Sequence, residues 1–381
     1  MYNPLNSFYK STIGAVCAEK EITFRVKGDF NSVVFVLKRD AEDSCCYFDL
    51  TKNKDFFETT LKFSSGLYFY CFKVNDNKYI SLSKDYVGVV TDEPIYFQLS
   101  VYEGNYNVPQ WIYGGVIYQI FPDRFCVGNN TKKNTEGRVV HSDLNDTPIF
   151  LPNEQGQVLN NDFFCGDING IISKLDYIKN LGVNVIYLNP IFKAYSNHRY
   201  DTGDYMQIDP MLGDINDFKQ LIAKAREYGI KIVLDGVFNH TGDDSLYFNK
   251  YGNYDSIGAY QSKDSKYYDW YNFKSYPNEY ESWWGIKTLP SVNENCKSYI
   301  DFITGKDGVI EYYTKLGIGG WRLDVVDELP DFFVEKIRSS AKTINKDAVI
   351  IGEVWEDASN KIAYGKRRKY FQGKELDSVM N

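Results

Sequence analysis

From about residue 112 onwards, the sequence alternates short apolar segments with longer amphipathic segments. The longer segments repeat apolar residues at helical spacing, and several of them end at a glycine. The predicted strands are 116–121, 184–188, 231–235, 320–325, 349–354 and 376–380, and the predicted helices are 171–182, 215–228, 309–316 and 330–344. Successive strand–helix units predict a parallel sheet. A closed (β/α)8 TIM barrel needs eight strands, so these segments predict an incomplete barrel of the α/β class with about six strands.

The residues before this alternation have a different pattern. Residues 1–108 contain short β-branched and aromatic runs separated by clusters of Asp, Asn, Lys and Gly, which predicts an all-β sandwich. Pro109 marks the predicted boundary, and 109–381 form the predicted barrel domain. A segment rich in Tyr, Trp, Asn and Gly, about 241–305, predicts a loop subdomain after the third strand.

Three of the predicted barrel strands end on charged residues. Asp235 ends one strand, Arg322 and Asp324 lie at the end of another, and Glu353 ends the next. Burying a carboxylate costs several kcal/mol unless the charge is paired or used. Since the carboxyl ends of parallel barrel strands are where catalytic groups assemble, this pattern indicates an enzyme site.

The chemistry that suits these side chains is glycosidic bond cleavage. Retaining hydrolysis needs two carboxyl groups about 5 Å apart, a nucleophile and a proton donor. Arg322 and Asp324 lie two residues apart and face the same side of a strand, so the guanidinium should lower the pKa of Asp324 and suit it as nucleophile. Partial burial against Trp355 and a nearby carboxylate should raise the pKa of Glu353, as a general acid requires. The alternative is a structural Arg–Asp pair beside an unrelated acidic strand end.

Composition limits the other functions and partners. The net charge of −8 argues against nucleic acid and anionic membranes as partners, because both bind basic faces. With 3 histidines and 7 cysteines without a C-x-x-C pair, the sequence predicts neither a histidine-rich metal site nor a disulfide framework. No signal peptide or membrane span is evident, so a cytoplasmic location is expected. No cofactor is expected. The 32 tyrosines could stack on sugar rings or pack the core.

Several further motifs carry a resemblance to a known family. They are Tyr-Gln-Ile-Phe-Pro-Asp-Arg-Phe at 118–125, Gly-Asp-Ile-Asn-Gly at 166–170, Ser-Asn-His-Arg-Tyr-Asp-Thr at 196–202, Tyr-Glu-Ser-Trp-Trp-Gly at 280–285 and Leu-Asp-Ser-Val-Met-Asn at 376–381. In order and spacing, the chain resembles glycoside hydrolase family thirteen, the α-amylase family, and within it the neopullulanase, cyclomaltodextrinase and maltogenic amylase branch. The resemblance covers nearly the whole chain, including the N-terminal sandwich at 1–108, which it implies is similar to a carbohydrate-binding domain.

The resemblance implies roles for individual residues. Asp324 would be the nucleophile and Glu353 the acid/base, with Arg322 orienting Asp324. His240 would bind the sugar before the scissile bond, and Tyr200 would stack beneath that sugar. Read without the family, His240 could equally belong to a hydrogen-bonded shell, and Tyr200 could be a packing residue.

Three further residues complete the predicted site. Trp355 would line the leaving-group side, with a core aromatic as the alternative. Asp235 would brace the site instead of reacting, and Asn239 would support it. Trp283 and Trp284 were expected to wall or pack the cleft without contacting substrate.

The match departs from the family in the catalytic carboxylates. The family's third catalytic aspartate follows a histidine, and no histidine occurs after His240. We therefore expect a truncated portion of a longer enzyme, with little activity by itself.

Two further departures concern the calcium loop and the acceptor side. The resemblance implies a calcium site in the loop after the first barrel strand, where this sequence has 127–129, Lys132 and Lys133 in place of the usual ligands and keeps only Asp167 and the backbone of Cys165. Since lysines repel a hard cation, no calcium is expected. The branch's Asp-Val-Ala-Asn-Glu is Asp-Val-Val-Asp-Glu at 324–328. This difference leaves the choice between α-1,4 and α-1,6 bonds open.

The first hypothesis is therefore a retaining hydrolase of α-glucans, such as maltooligosaccharides, cyclodextrins and pullulan fragments, in starch degradation. A non-catalytic α-glucan-binding protein and an α-glucan transglycosylase are the alternatives. Because relatives often dimerise through the N-terminal sandwich, a homodimer is an expected assembly.

Overall fold

The computed structural model describes residues 1–75, 77–129 and 135–380. These residues form two compact units, the first made of 1–107 with 357–375 and the second of 108–356 with 376–381. Each unit is described by itself below. The domain boundaries expected from the sequence stay predictions.

The first unit contains twelve described strands in three sheets. They are β1 (Val16–Cys17), β2 (Ile22–Lys27), β3 (Val33–Arg39), β4 (Cys45–Asp49), β5 (Thr51–Asn53), β6 (Phe56–Leu61), β7 (Gly66–Val74), β8 (Lys78–Leu82), β9 (Gly88–Thr91), β10 (Phe97–Tyr102), β22 (Ile362–Ala363) and β23 (Lys366–Arg367). One sheet has the order β1-β10-β7-β3-β4, with β8 added to β7 and β9 to β8. A second has the order β2-β6-β5, and β22 and β23 form a hairpin.

The first unit is held by an aromatic core between its two larger sheets. Alternate residues of β2 and β10 are buried, as expected of strands with one face on a core. Phe24 of β2 packs on Phe35 of β3, with ring centroids 4.7 Å apart, and Tyr70 of β7 stacks on Phe35 at 5.2 Å. Side chains from both sheets therefore share one core, and the sandwich-like architecture predicted from the sequence is confirmed.

The second unit mixes strands and helices. Its strands are β11 (Ile117–Ile120), β12 (Val139–Val140), β13 (Asp162–Phe163), β14 (Val185–Leu188), β15 (Phe192–Ala194), β16 (Thr202–Ile208), β17 (Lys231–Gly236), β18 (Phe273–Ser275), β19 (Glu279–Tyr280), β20 (Gly320–Leu323), β21 (Val349–Glu353) and β24 (Ser378–Met380). Its α-helices are α1 (Pro122–Phe125), α2 (Ile168–Ser173), α3 (Leu175–Asn180), α4 (Ile215–Glu227), α5 (Lys297–Thr304), α6 (Val309–Leu316) and α7 (Asp331–Ile344). Short 3-10 helices occur at Gln110–Ile112, Tyr268–Trp270, Trp283–Gly285 and Val326–Glu328.

One parallel sheet organises this unit. Its order is β11-β14-β17-β20-β21-β24, so each strand lies beside its predecessor among the predicted strands. Strands β14 and β20 are buried along their whole length, as expected where helices cover a parallel sheet. The six-stranded incomplete barrel predicted from the sequence is confirmed. The carboxyl ends of all six strands lie at the same edge of the sheet. The charged residues at the ends of β17, β20 and β21 therefore lie at that edge.

Some elements differ from the prediction. The single helix expected at 171–182 is two short helices, α2 and α3, because Lys174 between them is not helical. Ser173 Oγ donates to the carbonyl of Gly170 at 2.7 Å, a local bond that competes with helix propagation. The β15–β16 hairpin and helix α5 were not predicted.

No described helix of the chain combines the length and the apolar character needed to traverse a bilayer.

Candidate active site

The register of the parallel sheet brings the charged strand ends together. Asp235 of β17 lies opposite Arg322 of β20 in the ladder. Asp324 follows β20 directly, and its N–H donates to the carbonyl of Gly236 at 3.1 Å. Glu353 is the last residue of β21, the next strand across. Three carboxylates and one guanidinium therefore meet at the carboxyl edge of three adjacent strands.

Arg322 contacts all three carboxylates. Its Nη1 lies 2.8 Å from an oxygen of Asp235 and 2.8 Å from an oxygen of Asp324, and its Nη2 lies 2.9 Å from Glu353 Oε1. The side chain of Arg322 is only 6% exposed. One positive charge faces three acids in a site of low polarity, so their mutual repulsion favours keeping a proton in the cluster.

Burial is the main influence on the protonation of Asp324. Burial and, to a smaller extent, the negative charge of Asp235 raise the pKa of Asp324 to about 8, while Arg322 acts in the opposite direction. Burial also raises the pKa of Asp235, against the effect of Arg322 and of a hydrogen bond from Tyr187. Arg322 lowers the pKa of Asp324 as expected, but the expected low pKa of Asp324 was wrong, because burial and the charge of Asp235 outweigh the guanidinium.

Glu353 is held by two further donors. Its Oε2 accepts the backbone N–H of Val325 at 2.9 Å, and its Oε1 accepts the indole N–H of Trp355 at 3.3 Å. Val325 has φ +38° and ψ +51°, a left-handed conformation that is costly for a β-branched residue. Asp324 and Glu353 therefore contact the two Nη atoms of the same guanidinium.

Two tyrosines fix Asp235 from the other side. The hydroxyl of Tyr187 donates to Asp235 Oδ2 at 2.5 Å, and the hydroxyl of Tyr200 donates to the same oxygen at 3.0 Å. Asn189 Nδ2 in turn donates to the Tyr200 hydroxyl at 2.9 Å. Asp235 is thus saturated with donors, and this arrangement suits bracing better than reaction.

His240 is neutral and has an open ring nitrogen. Burial lowers the pKa of His240 to about 3. Its Nδ1 accepts from Asn239 Nδ2 at 3.3 Å, whereas its Nε2 is buried and has no partner among the described residues. The ring stacks on Trp283 at 5.3 Å and 25°. A hydroxyl group of a ligand would satisfy this nitrogen.

The predicted residues surround one cavity of about 1080 Å³. Six of them line it, namely Tyr200, His240, Arg322, Asp324, Glu353 and Trp355. Asp235 and Asn239 are buried behind this layer. Trp355 is 66% exposed, which excludes the alternative of a core aromatic.

Sequence reasoning missed much of the cavity wall. The additional lining residues come from loops and are Gln157, Val158, Leu159, Asn160, Tyr195, Ser196, His198, Asp201, Asp243, Asp244, Tyr251, Asn253, Trp283, Ile286, Lys287, Thr288, Leu289 and Val325. The sequence gave a signal for four of them, since the motifs at 196–202 and 280–285 contain Ser196, His198, Asp201 and Trp283. The loop residues carry no periodicity that could have found them.

The loop in which the family resemblance implies a calcium site contains Asp167. Asp167 Oδ1 accepts the backbone N–H of Gly170 at 2.8 Å, so this carboxylate caps helix α2. Lys132 and Lys133 lie outside the described residues. Within 1–75, 77–129 and 135–380, no cluster of three or more His, Cys, Asp or Glu side chains is suited to a metal ion. The expectation of no calcium stays a prediction.

The parallel sheet and the acidic cluster at its carboxyl edge define a protein of the β/α-barrel class with a buried polar site. More particularly, the family model for the alpha amylase catalytic domain matches residues 119–381, and the chain belongs to this family. The family resemblance seen in the sequence motifs is thereby confirmed.

Known proteins with similar chains are described as α-glucan-active enzymes. An amylopullulanase of Thermoanaerobacter thermohydrosulfuricus is 40% identical over 331 residues, covering 77% of this chain and 22% of that protein. A cyclomaltodextrinase of Thermoanaerobacter pseudethanolicus is 35% identical over 344 residues, covering 86% of this chain and 54% of that protein. The solved cyclic alpha-maltosyl-(1→6)-maltose hydrolase of Arthrobacter globiformis has a TM-score of 0.60 at 33% identity, covering 72% of this chain and 56% of that chain. The chain thus spans about half the length of the last two proteins and about a fifth of the first.

Proposed function

We propose that this protein is a retaining hydrolase of α-glucans, with maltooligosaccharides, cyclodextrins and pullulan fragments as the substrate class. The observation that carries the proposal is the contact of one buried guanidinium with both Asp324 and Glu353 inside a single large cavity. The printed names of the similar proteins support α-glucans as the substrates.

In the proposed reaction, Asp324 attacks the anomeric carbon while Glu353 donates a proton to the departing glycosidic oxygen. A water molecule then gives its proton to Glu353 and displaces Asp324 from the sugar, so that the configuration is retained. This sequence needs the proton of the acidic cluster to reside on Glu353.

The remaining residues would position the sugar before the scissile bond. His240 offers its open, buried Nε2 to a sugar hydroxyl, and Tyr200 presents its ring while its hydroxyl is tied to Asp235. Trp355 lies beside the proton donor and would line the leaving-group side. Arg322 would hold the carboxylates of Asp324 and Glu353 in position relative to each other.

The expected low activity of this chain is part of the proposal. Residues 241–381 contain no histidine, so they do not supply the His–Asp pair that the family resemblance implies. Hydrogen bonds that strengthen in the transition state contribute strongly to glycosidase rates, so turnover should be slow. A protein that binds α-glucan and forms no product would support the binding alternative, and products longer than the substrate would show transglycosylation.

Activated substrates make the test sensitive enough for slow turnover. The protein is incubated with an α-maltosyl fluoride, and the anomeric configuration of the first product is followed by proton NMR. An α-product is expected, with azide rescuing E353A as the α-azide and D324A as the β-azide. A β-configured first product, or activity unchanged in D324A and E353A, would refute the assignment.

A further inference from the structure

A chain of hydrogen bonds crosses the carboxyl edge of the parallel sheet and ends at the acidic cluster. Gln119 of β11 donates from Nε2 to Asn189 Oδ1 at 2.9 Å. Asn189 Nδ2 donates to the hydroxyl of Tyr200, also at 2.9 Å. That hydroxyl donates to Asp235, which is paired with Arg322. The chain therefore connects the first strand of the sheet with the guanidinium that contacts the proposed catalytic acids.

Asn189 is held against β11 by its main chain as well as by its side chain. Its backbone N–H donates to the carbonyl of Ile120 at 3.0 Å, one residue beyond Gln119. Asn189 is buried, and neither Asn189 nor Gln119 is among the described residues that line the cavity. Tyr200 does line it. The two amides can therefore act on a bound sugar only through a neighbour such as Tyr200.

The bond from Gln119 determines which end of the Asn189 amide faces Tyr200. An amide accepts through its oxygen and donates through its nitrogen. Since Gln119 donates to the Asn189 oxygen, the Asn189 nitrogen is directed at the Tyr200 hydroxyl. The Tyr200 oxygen accepts this bond, and its proton remains available for Asp235. With the amide turned around, Tyr200 would donate to Asn189 and Asp235 would lose a donor.

The bond from Tyr200 bears on the charge of the acidic cluster. Burial and next the charge of Asp235 raise the pKa of Tyr200, so the hydroxyl keeps its proton. Burial raises the pKa of Asp235, and the bond from Tyr200 acts in the opposite direction. After burial, the charge of Asp235 is the main influence that raises the pKa of Asp324. The other charged or titratable groups that face Asp235 are Tyr187 and Arg322.

We propose that Asn189 is a positioning residue of the active site, which directs the hydroxyl of Tyr200 onto Asp235. Gln119 is a second positioning residue, because it orients the amide of Asn189. This inference rests on the proposed function and deepens it by assigning two residues outside the cavity lining to the reaction. Asn189 fixes the Tyr200 ring beside the sugar and, through Asp235, helps to set the pH at which Asp324 ionises.

The activity experiment measures pH–rate profiles of kcat/KM with an aryl α-maltoside for the wild type, N189A, Q119M, Y200F and N189A/Y200F. N189A weakens the bond from Tyr200 to Asp235, so Asp235 carries less charge and the acid limb should move to lower pH. The maximal kcat/KM should fall by roughly 3- to 10-fold, the size of one hydrogen bond. In Y200F the hydroxyl is already absent, so adding N189A should change kcat/KM by less than about 2-fold. Q119M keeps the side-chain length without a donor and should give a smaller shift in the same direction.

Asn184 provides a matched control at the opposite edge of the same strand pair. Its Oδ1 accepts the backbone N–H of Val116 at 2.6 Å, so this amide also joins the start of β14 to the chain before β11. N184A should lower Tm, as N189A should, but leave the acid limb in place and kcat/KM within about 2-fold. An equal shift of the acid limb in N184A would show that general loosening of the sheet is the cause, and would overturn the positioning role.

A measurement that needs no turnover separates this role from the proposed hydrolase. In protein labelled with carbon-13 at the phenolic carbon of tyrosine, the NMR signal of Tyr200 is the one that Y200F removes. N189A should shift this signal, because the phenolic oxygen loses a donor, and N184A should not. An unmoved Tyr200 signal or an unmoved acid limb in N189A, or a full loss of kcat/KM on adding N189A to Y200F, would overturn the inference. A shifted signal in a protein that hydrolyses no α-maltoside would support the positioning of Tyr200 and refute the proposed hydrolase alone.

Discussion

The charge balance around Arg322 is the main residue-level property of the site. A single guanidinium contacts Asp235, Asp324 and Glu353, so the ionisation of each acid depends on the other two. In such a coupled group the apparent pKa values belong to the cluster, and a change at one acid moves the titration of its neighbours.

Removing the charge of Asp235 should shift the pH dependence of catalysis. The pKa of Asp324 is raised by burial and next by the charge of Asp235, so D235N should lower that pKa. Since the nucleophile must be ionised, the acid limb of kcat/KM should move to lower pH, although the maximal rate falls because Tyr200 loses its charged partner. The measurement is a pH–rate profile with an aryl α-maltoside. D201N removes a cavity carboxylate that is not among the charges that shift the pKa of Asp324, and an equal shift in D201N would argue against the mechanism.

Glu294 provides a separate link between pH and stability. Burial, followed by the charges of Glu328 and Glu281, raises the pKa of Glu294 to about 8 from an ordinary value of 4.5. The native state therefore holds a proton that the unfolded chain has released between these pH values, so the contribution of Glu294 to stability is fully present below pH 4.5 and is lost as pH rises through 8. In E294Q this loss should be absent, and the decline of Tm between pH 5 and 8 should be shallower than in the wild type. E279Q, at an exposed glutamate of β19, should keep the wild-type slope.

At the scale of elements, the end of β20 has a backbone turn that the local sequence pattern does not predict. The predicted strand 320–325 stops at Leu323, because Val325 turns into the left-handed region and aims its N–H at Glu353. Nothing in the apolar run could indicate this turn, since valine normally favours an extended strand. Trp284 likewise has a left-handed backbone in spite of its bulky side chain.

Replacing Val325 by glycine should separate stability from activity. Glycine adopts the left-handed conformation without steric cost, so V325G should gain up to about 1 kcal/mol in unfolding free energy, less the entropy added to the unfolded chain. The looser backbone should hold Glu353 less well and lower kcat. Urea denaturation and initial rates measure the two effects. V325A, which still carries a Cβ, should gain less stability, and a large loss of stability in V325G would contradict the strain argument.

At the scale of the whole molecule, the periodicity of apolar residues predicted the architecture, whereas the loop residues that line the cavity could not be predicted. Local sequence patterns predicted the six strands, the long helices near 215–228 and 330–344 and the all-β first unit. They did so because the apolar residues of a buried face recur with the period of the helix or strand. The proximity of the charged strand ends could be predicted because parallel strands end at the same edge of the sheet. Lining residues such as Leu159 and Asp243 reach the cavity through irregular loops, whose paths depend on tertiary contacts. The expected homodimer and cytoplasmic location stay predictions.

The two units have separate hydrophobic cores, which should be visible in unfolding. Phe35 is fully buried in the first unit against Phe24, Tyr70 and Phe72, and F35A should lower the stability of that core by about 3–5 kcal/mol. Differential scanning calorimetry should then show one transition moving to lower temperature while a second, from the parallel sheet around Trp321, stays in place. W321A should do the reverse, since Trp321 is fully buried in β20. If F35A and W321A moved a single common transition by the same amount, the two cores would unfold as one cooperative unit.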